Sequence, residues 1–260
     1  MAAEPTKWAV VTGAGSGIGR ALCIDLCTKR SVNVIGIGRR PEPIQETVRL
    51  CGARESATMI GVVGDITSSE DRDRLAKQIP EDGIVMYLVH NAGTAEPFGT
   101  LADASEQGLS HVMNTNCVAP ILLTSKLLPK MARGSRILHV SSGAAHRAQA
   151  GLGAYCVSKA ALHMAYLCLR DELAPMGIAV GSARPGCADT PMMASILDTS
   201  EETLPRVVDF RRMRDEGRLF QGDSVAGFLC ALLCDTNDKE FSRKEYDIRD
   251  EHRPWWTQGK

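Results

Sequence analysis

The stretch that most constrains this chain lies near its start. Trp8-Ala9-Val10-Val11-Thr12 is a short apolar run, Gly13-Ala14-Gly15-Ser16-Gly17-Ile18-Gly19 follows directly, and Arg20 to Cys27 then carries apolar residues at helical spacing. A continuous apolar run of this length reads as a strand buried on both faces, so the order is strand, glycine loop, helix. Glycine lets the backbone turn tightly and approach a bound group closely, and a helix N-terminus offers unpaired N–H donors and positive potential. The glycines stand at 13, 17 and 19, a GxxxGxG spacing and not the usual GxGxxG, but the physics is shared. Gly13, Ser16, Gly17, Ile18 and Gly19 are therefore expected to cradle a pyrophosphate; a purely structural loop is the plain alternative.

The same alternation continues along the chain. Further apolar runs at Val32–Ile37, Thr58–Val63, Ile84–Val89, Arg136–Val140 and Ile178–Ser182 read as strands, with a short edge strand near Tyr246–Ile248. Helical segments fall between them, at 41–50, 71–78 (capped by Ser68 or Ser69), 103–131 with interruptions at Pro120 and Pro129, and a long segment that Tyr155 opens and that runs to Leu173. A last helix is expected over 223–234. Strands alternating with helices imply an α/β fold: a parallel sheet with helices on both faces and right-handed crossovers. No repeat or linker divides the 260 residues, a length suited to one large domain. Only Thr190–Gln221 stands outside the alternation.

Composition narrows the class. A formal net charge of −1 with no basic block argues against a nucleic-acid partner. No apolar run reaches the length of a membrane span, and Met1–Lys7 lacks a signal-peptide core. The expectation is a soluble, cytoplasmic protein. Nine cysteines, mostly inside apolar segments, are read as small buried hydrophobes in a reducing compartment, with no metal-ligand spacing of the CxxC type.

The polar and glycine motifs fall at the ends of the predicted strands, where ligands bind in open α/β sheets. They are Gly13–Gly19, Gly38–Arg40, Asp65-Ile66, Asn91–Gly93, Ser141-Ser142 and Pro185–Thr190. An acidic residue after the second strand would favour NAD by accepting from the adenosine ribose hydroxyl; Arg39 and Arg40 stand there instead and suit a 2′-phosphate, hence NADP(H), with a merely solvated pair as the plain alternative. Asp65, beside Ile66, either accepts from the adenine amino group or caps the turn into the next helix. Tyr155 and Lys159, four residues apart on one helix face, form an acid–base pair in which the ammonium is expected to lower the phenol's pKa.

Taken in order, Thr12-Gly13-x-x-x-Gly17-x-Gly19, Asn91-Ala92-Gly93, Asn116, Ser142, Tyr155-x-x-x-Lys159 and Pro185-Gly186 resemble the motifs of the short-chain dehydrogenases/reductases, in the branch of chains of this length, over residues 7–235. The resemblance implies a single-domain, doubly wound parallel sheet of Rossmann type, a nicotinamide cofactor and a catalytic tetrad of Asn116, Ser142, Tyr155 and Lys159. Tyr155 would donate the proton, Lys159 would tune it and hold the nicotinamide ribose, Ser142 would hold the substrate oxygen, and Asn116 would hold a water leading from Lys159 to solvent. A buried amide at a helix kink beside Pro120 is the alternative for Asn116. By the same resemblance Asn91, Ala92 and Gly93 pack a turn against the cofactor, Pro185 and Gly186 border it, and Thr190 contacts its nicotinamide or its phosphate.

Ser182–Met192 and the C-terminal part resemble sepiapterin- and benzil-reductase-like members, which assigns no substrate. His90 and His139 are expected in the core, and His146 and Arg147 either face substrate or lie in a solvated loop. Pro191–Leu219 is expected to form a lid of two short amphipathic helices, with Met192, Met193, Ile196, Leu197, Leu204, Val207 and Val208 supplying apolar faces. The activity implied is reduction of a ketone or aldehyde, or oxidation of an alcohol, by a homodimer or homotetramer joined through the Asn116 and Tyr155 helices. A non-catalytic nucleotide-binding protein on the same fold would need no paired Tyr and Lys.

Overall fold

The computed structural model describes residues 5–52 and 57–250. Seven strands form one sheet: β1 (Thr6–Thr12), β2 (Asn33–Gly38), β3 (Met59–Val63), β4 (Gly83–His90), β5 (Arg136–Val140), β6 (Ala179–Arg184) and β7 (Glu245–Asp247). Their order is β3-β2-β1-β4-β5-β6-β7, and every neighbouring pair is parallel. The winding reverses between β1 and β4, and the crevice above that reversal is where such sheets bind ligands.

Parallel strands need crossovers, and here these are helices: α1 (Gly17–Lys29), α2 (Pro41–Cys51), α3 (Ser69–Ala76), α4 (Glu106–Met113), α5 (Ala119–Leu127), α6 (Gly153–Leu173), α7 (Pro191–Leu197), α8 (Val207–Asp215), α9 (Gly222–Asp235) and α10 (Asp238–Phe241). Two apolar clusters cover the two sheet faces. Ala9 and Val11 of β1 join α1, α2 and α9 in one, while Trp8 and Val10 join α3, α5 and α6 in the other. Successive residues point to opposite faces and both faces are buried, which is why β1 reads as an unbroken apolar run.

Local signals set the boundaries. The Ser68 hydroxyl accepts from Asp71 N at 3.3 Å and caps α3, which decides between the two candidate serines. The helical region 103–131 is broken as expected, but by more than its prolines. A π-helical turn, Asn114–Val118, sits between α4 and α5, and Pro120 occupies the first turn of α5, where no N–H is needed. Pro129 lies in a 3₁₀ turn, Leu128–Lys130. Cys168 is exposed on α6, whereas Cys23, Cys27, Cys51, Cys117 and Cys230 are buried. Among the described residues no helix is long and apolar enough to cross a membrane. Trp255 and Trp256 lie outside the described residues.

Candidate active site

A cavity of about 690 Å³ runs along the carboxyl ends of the strands from β3 to β6 and under α7 and α8. Its walls bring together Gly13, Ser16, Gly17, Ile18, Arg39, Arg40, Asp65, Ile66, Asn91, Ala92, Gly93, Ser142, Tyr155, Lys159, Pro185, Gly186 and Thr190. Of the residues expected at the site, Gly19 and Asn116 do not reach the wall.

At one end the loop between β1 and α1 is held open by its glycines. Gly13 has φ +70°, and a Cβ on Gly19 would lie 2.2 Å from the Gly13 carbonyl oxygen, so both positions reject a side chain. The Ser16 side chain makes no cap to α1, which leaves the first-turn N–H groups free for an anion. Arg20, which the sequence did not single out, clamps this loop to α2: it donates to Gly15 O at 2.6 Å and Thr47 Oγ1 at 3.2 Å. Thr12 Oγ1 accepts from Asn91 N and Ala92 N, both at 3.0 Å, and Asn91 Nδ2 donates to Thr12 O at 2.8 Å. Asn91-Ala92-Gly93 is thereby a turn that locks β4 to β1.

Arg39 and Arg40 are exposed at the end of β2 and make no ion pair among the described residues. The Asp65 carboxylate accepts from Thr67 N and Oγ1, both at 2.8 Å. It therefore caps its own turn, the second of the two roles open to it, while still lining the cavity.

At the other end, Ser142 follows β5 and Tyr155 and Lys159 stand one turn apart on α6. The Ser142 hydroxyl accepts from Ala144 N at 3.2 Å and hydrogen-bonds the Tyr155 phenol. Lys159, 4% exposed, donates to Val140 O at 2.9 Å, with Nζ 5.8 Å from the Tyr155 ring centroid. The expected lowering of the Tyr155 pKa does not occur. Burial pushes the phenol above its ordinary value and outweighs the Ser142 hydrogen bond. Burial also pulls Lys159 down to about 8, against the opposing charges of Glu245 and Cys117. Desolvation disfavours the charged form of both groups, and the ammonium is turned to a carbonyl.

Asn116 is fully buried in the π-helical turn, and its amide is spent on protein groups. Its Oδ1 accepts from Thr94 N at 2.8 Å, and its Nδ2 donates to Thr94 O at 2.8 Å and Ser158 Oγ at 2.9 Å. The helix-kink alternative thus describes its side chain. Thr190 Oγ1 accepts from Met193 N at 3.3 Å and caps α7. Arg147 lines the cavity, whereas His146 turns away to pair with Glu245.

The segment 191–219 contains the two expected helices. Met193, Ile196, Leu204, Val207 and Phe210 are buried in a third apolar cluster with Ala95 and Leu152, against which Tyr155 also packs. Val208 is the exception, on the exposed side. Arg206, Phe210, Met213 and Arg249 also reach the cavity. The first three lie within the expected lid without having been singled out there; Arg249 comes from beyond β7, a segment the sequence did not mark.

The ordered motifs are now joined in one cleft, and a family model described as short chain dehydrogenase matches residues 7–201. The chain belongs to the short-chain dehydrogenases. Among its relatives, a benzil reductase ((S)-benzoin forming) of Bacillus cereus is 29% identical over 237 residues, 87% of this chain and 94% of that protein. The human mitochondrial dehydrogenase/reductase SDR family member 2 is 33% identical over 226 residues, 86% and 79% of the two chains. The solved structure of the KRED1-Pglu enzyme superposes with a TM-score of 0.83 at 27% identity, covering 92% of this chain and all of that one. Short-chain dehydrogenases are oxidoreductases that use a nicotinamide cofactor. The side-chain-free glycine loop, the uncapped start of α1 and the size of the cavity fit that group.

Proposed function

We propose that this short-chain dehydrogenase is an NADP(H)-dependent carbonyl reductase, acting reversibly on apolar or aromatic ketones and aldehydes and the matching alcohols. The observation that carries the reading is the meeting of Ser142, Tyr155 and Lys159 on the wall of a cavity whose far end presents the unpaired Arg39 and Arg40. When bound, the nicotinamide supplies the hydride to the carbonyl carbon or accepts it from the alcohol.

The chain's own residues do the rest. Tyr155 donates its phenolic proton to the carbonyl oxygen; its raised pKa keeps that proton in place at neutral pH, the state that reduction needs. Ser142 donates a hydrogen bond to the same oxygen as negative charge develops there. Lys159 is mostly protonated at neutral pH, and its charge beside the ring stabilises the phenolate left behind. Asn116 is a positioning residue that ties the end of β4 at Thr94 to Ser158 on α6. Gly13, Ser16, Gly17, Ile18 and the N–H groups of α1 hold the pyrophosphate, Arg39 and Arg40 the 2′-phosphate, and Pro185, Gly186 and Thr190 the nicotinamide half.

Pro191–Leu219 acts as a lid that excludes water. Its Met192, Met193, Phe210 and Met213, with Phe98 and Leu152 opposite, make an apolar wall, and methionine adapts to varied shapes. The name of the Bacillus cereus relative states reduction of an aromatic ketone, in keeping with this wall. Exposed Val118, Ile121, Leu122, Val157 and Met164 on α5 and α6 and the turn before α5 support a homodimer or homotetramer built through those helices.

A panel of ketones and aldehydes with NADPH and NADH, followed by absorbance of the reduced nicotinamide, tests the reading. NADPH-dependent reduction of apolar ketones is expected. A chain that binds NADPH but reduces no carbonyl would be a binding protein on this fold, and preference for NADH would overturn the cofactor assignment.

A further inference from the structure

A row of polar side chains crosses the sheet beside the catalytic residues. The strand register sets His90 beside His139, His139 beside Ser182, and Ser182 beside Glu245, so these four share one sheet face. The row ends at the edge strand β7 in a carboxylate whose side chain is 8% exposed. Two histidines from other elements converge on it. His163 lies one helical turn beyond Lys159 on α6, and its Nδ1 is 3.2 Å from Glu245 Oε1. His146 comes from the turn after Ser142, and its Nε2 is 2.6 Å from Glu245 Oε2. The two imidazoles stand edge to face with centroids 4.6 Å apart, and the three donor atoms all lie within 4.8 Å of one another.

We propose that His146, His163 and Glu245 form a binding site for a divalent transition metal, with zinc as the best match. Two imidazole nitrogens and one carboxylate oxygen make a donor set that zinc takes with a fourth position left to water, whereas calcium and magnesium select all-oxygen sets. Ligands of one tetrahedral zinc stand roughly 3.4 Å apart; the two imidazole nitrogens lie 2.6 and 3.2 Å from the carboxylate oxygens, so small outward side-chain shifts would seat the ion.

The surroundings are those of a built site. Ser182 Oγ donates to Glu245 Oε1 at 2.9 Å; such an outer partner fixes the orientation of a ligand. The Arg184 guanidinium, with Nε 3.3 Å from Glu245 Oε2, competes for the carboxylate, but Asp247 Oδ2 lies at 3.3 Å from the same Nε and offsets its charge. The His146 side chain is 36% exposed, which gives an ion its path from solvent. No sequence spacing announces the set, because His146 and His163 stand 99 and 82 residues from Glu245. A bound ion would tie the turn after Ser142 to α6 and β7 and so stiffen the substrate end of the cleft.

The plain alternative is a histidine–carboxylate ion pair that takes no metal. The full-length chain, stripped with a chelator, is titrated with Co²⁺ followed by visible absorption and with Zn²⁺ followed by equilibrium dialysis. One ion per chain is expected, with the intense visible bands of four-coordinate cobalt and no thiolate charge-transfer band. His146→Ala and His163→Ala should weaken uptake by about a hundredfold or more, and Ser182→Ala by about tenfold. His146→Asn, on the exposed turn, is the variant least able to disturb folding, and circular dichroism checks each protein. Absence of stoichiometric uptake, a thiolate signature, or uptake unchanged in both the His146→Ala and the His146→Asn variants would overturn the site.

Discussion

The choice between NADPH and NADH rests on two side chains, which makes it the sharpest test of the cleft. Arg39 and Arg40 end β2, are exposed, and make no ion pair among the described residues. The nearby Asp65 is committed to Thr67, so it does not compete for them. A charge-assisted hydrogen bond to phosphate contributes about 1.5–3 kcal/mol. Exposure and salt screening place each arginine near the lower end. At about 1.4 kcal/mol per tenfold, replacing both residues should weaken NADPH by roughly two orders of magnitude. NADH has no 2′-phosphate, and its affinity should change by less than about threefold. Fluorescence titration of wild type and Arg39→Ala/Arg40→Ala with both cofactors, at low and high salt, measures this. The wild-type preference for NADPH should shrink as salt rises, and the double variant should show little salt dependence. Equal losses for the two cofactors would mean that the arginines shape the β2–α2 turn and do not read the phosphate.

Three further outcomes follow from the same geometry. Tyr155→Phe should keep cofactor affinity and lose about 10²–10⁴-fold in turnover; near wild-type turnover would remove Tyr155 as the acid. In hydrogen exchange, residues 191–219 should exchange fast in the free protein and slow on NADPH addition, and slow exchange in both states would leave a fixed surface element with no lid. His139 is fully buried, with neither ring nitrogen hydrogen-bonded among the described residues, and burial pulls its pKa from 6.5 to about 3. That depression contributes stability that is present above pH 6.5 and lost as pH falls towards 3, on the order of 5 kcal/mol at most. His139→Leu should therefore flatten the fall in urea stability across that interval, and an unchanged slope would place the acid sensitivity elsewhere.

The sequence by itself determined the alternation of strands and helices, the parallel sheet and the glycine loop. These depend on apolar periodicity and on residues adjacent in the chain, so local order is enough to reveal them. It also delivered Tyr155 and Lys159 as a pair, because four residues is one helical turn. The direction of the Tyr155 pKa shift was read the wrong way, since the four-residue spacing shows the ammonium but not the burial that outweighs it. Likewise the Asn116 side chain was legible as an amide near a proline, but only the π-helical turn and the backbone of Thr94 show that its bonds are already spent.

What only the tertiary structure decided is whatever several distant segments build together. Arg20 clamps the glycine loop because α2 folds back over α1, and Arg249 reaches the cavity because the edge strand β7 delivers it there. His146, His163 and Glu245 meet because a turn, a helix and an edge strand end at one corner of the sheet. Local signals decay within a few residues along the chain, whereas proximity across a sheet is fixed by strand order and register. A cluster of that kind is therefore invisible until the strands are placed side by side.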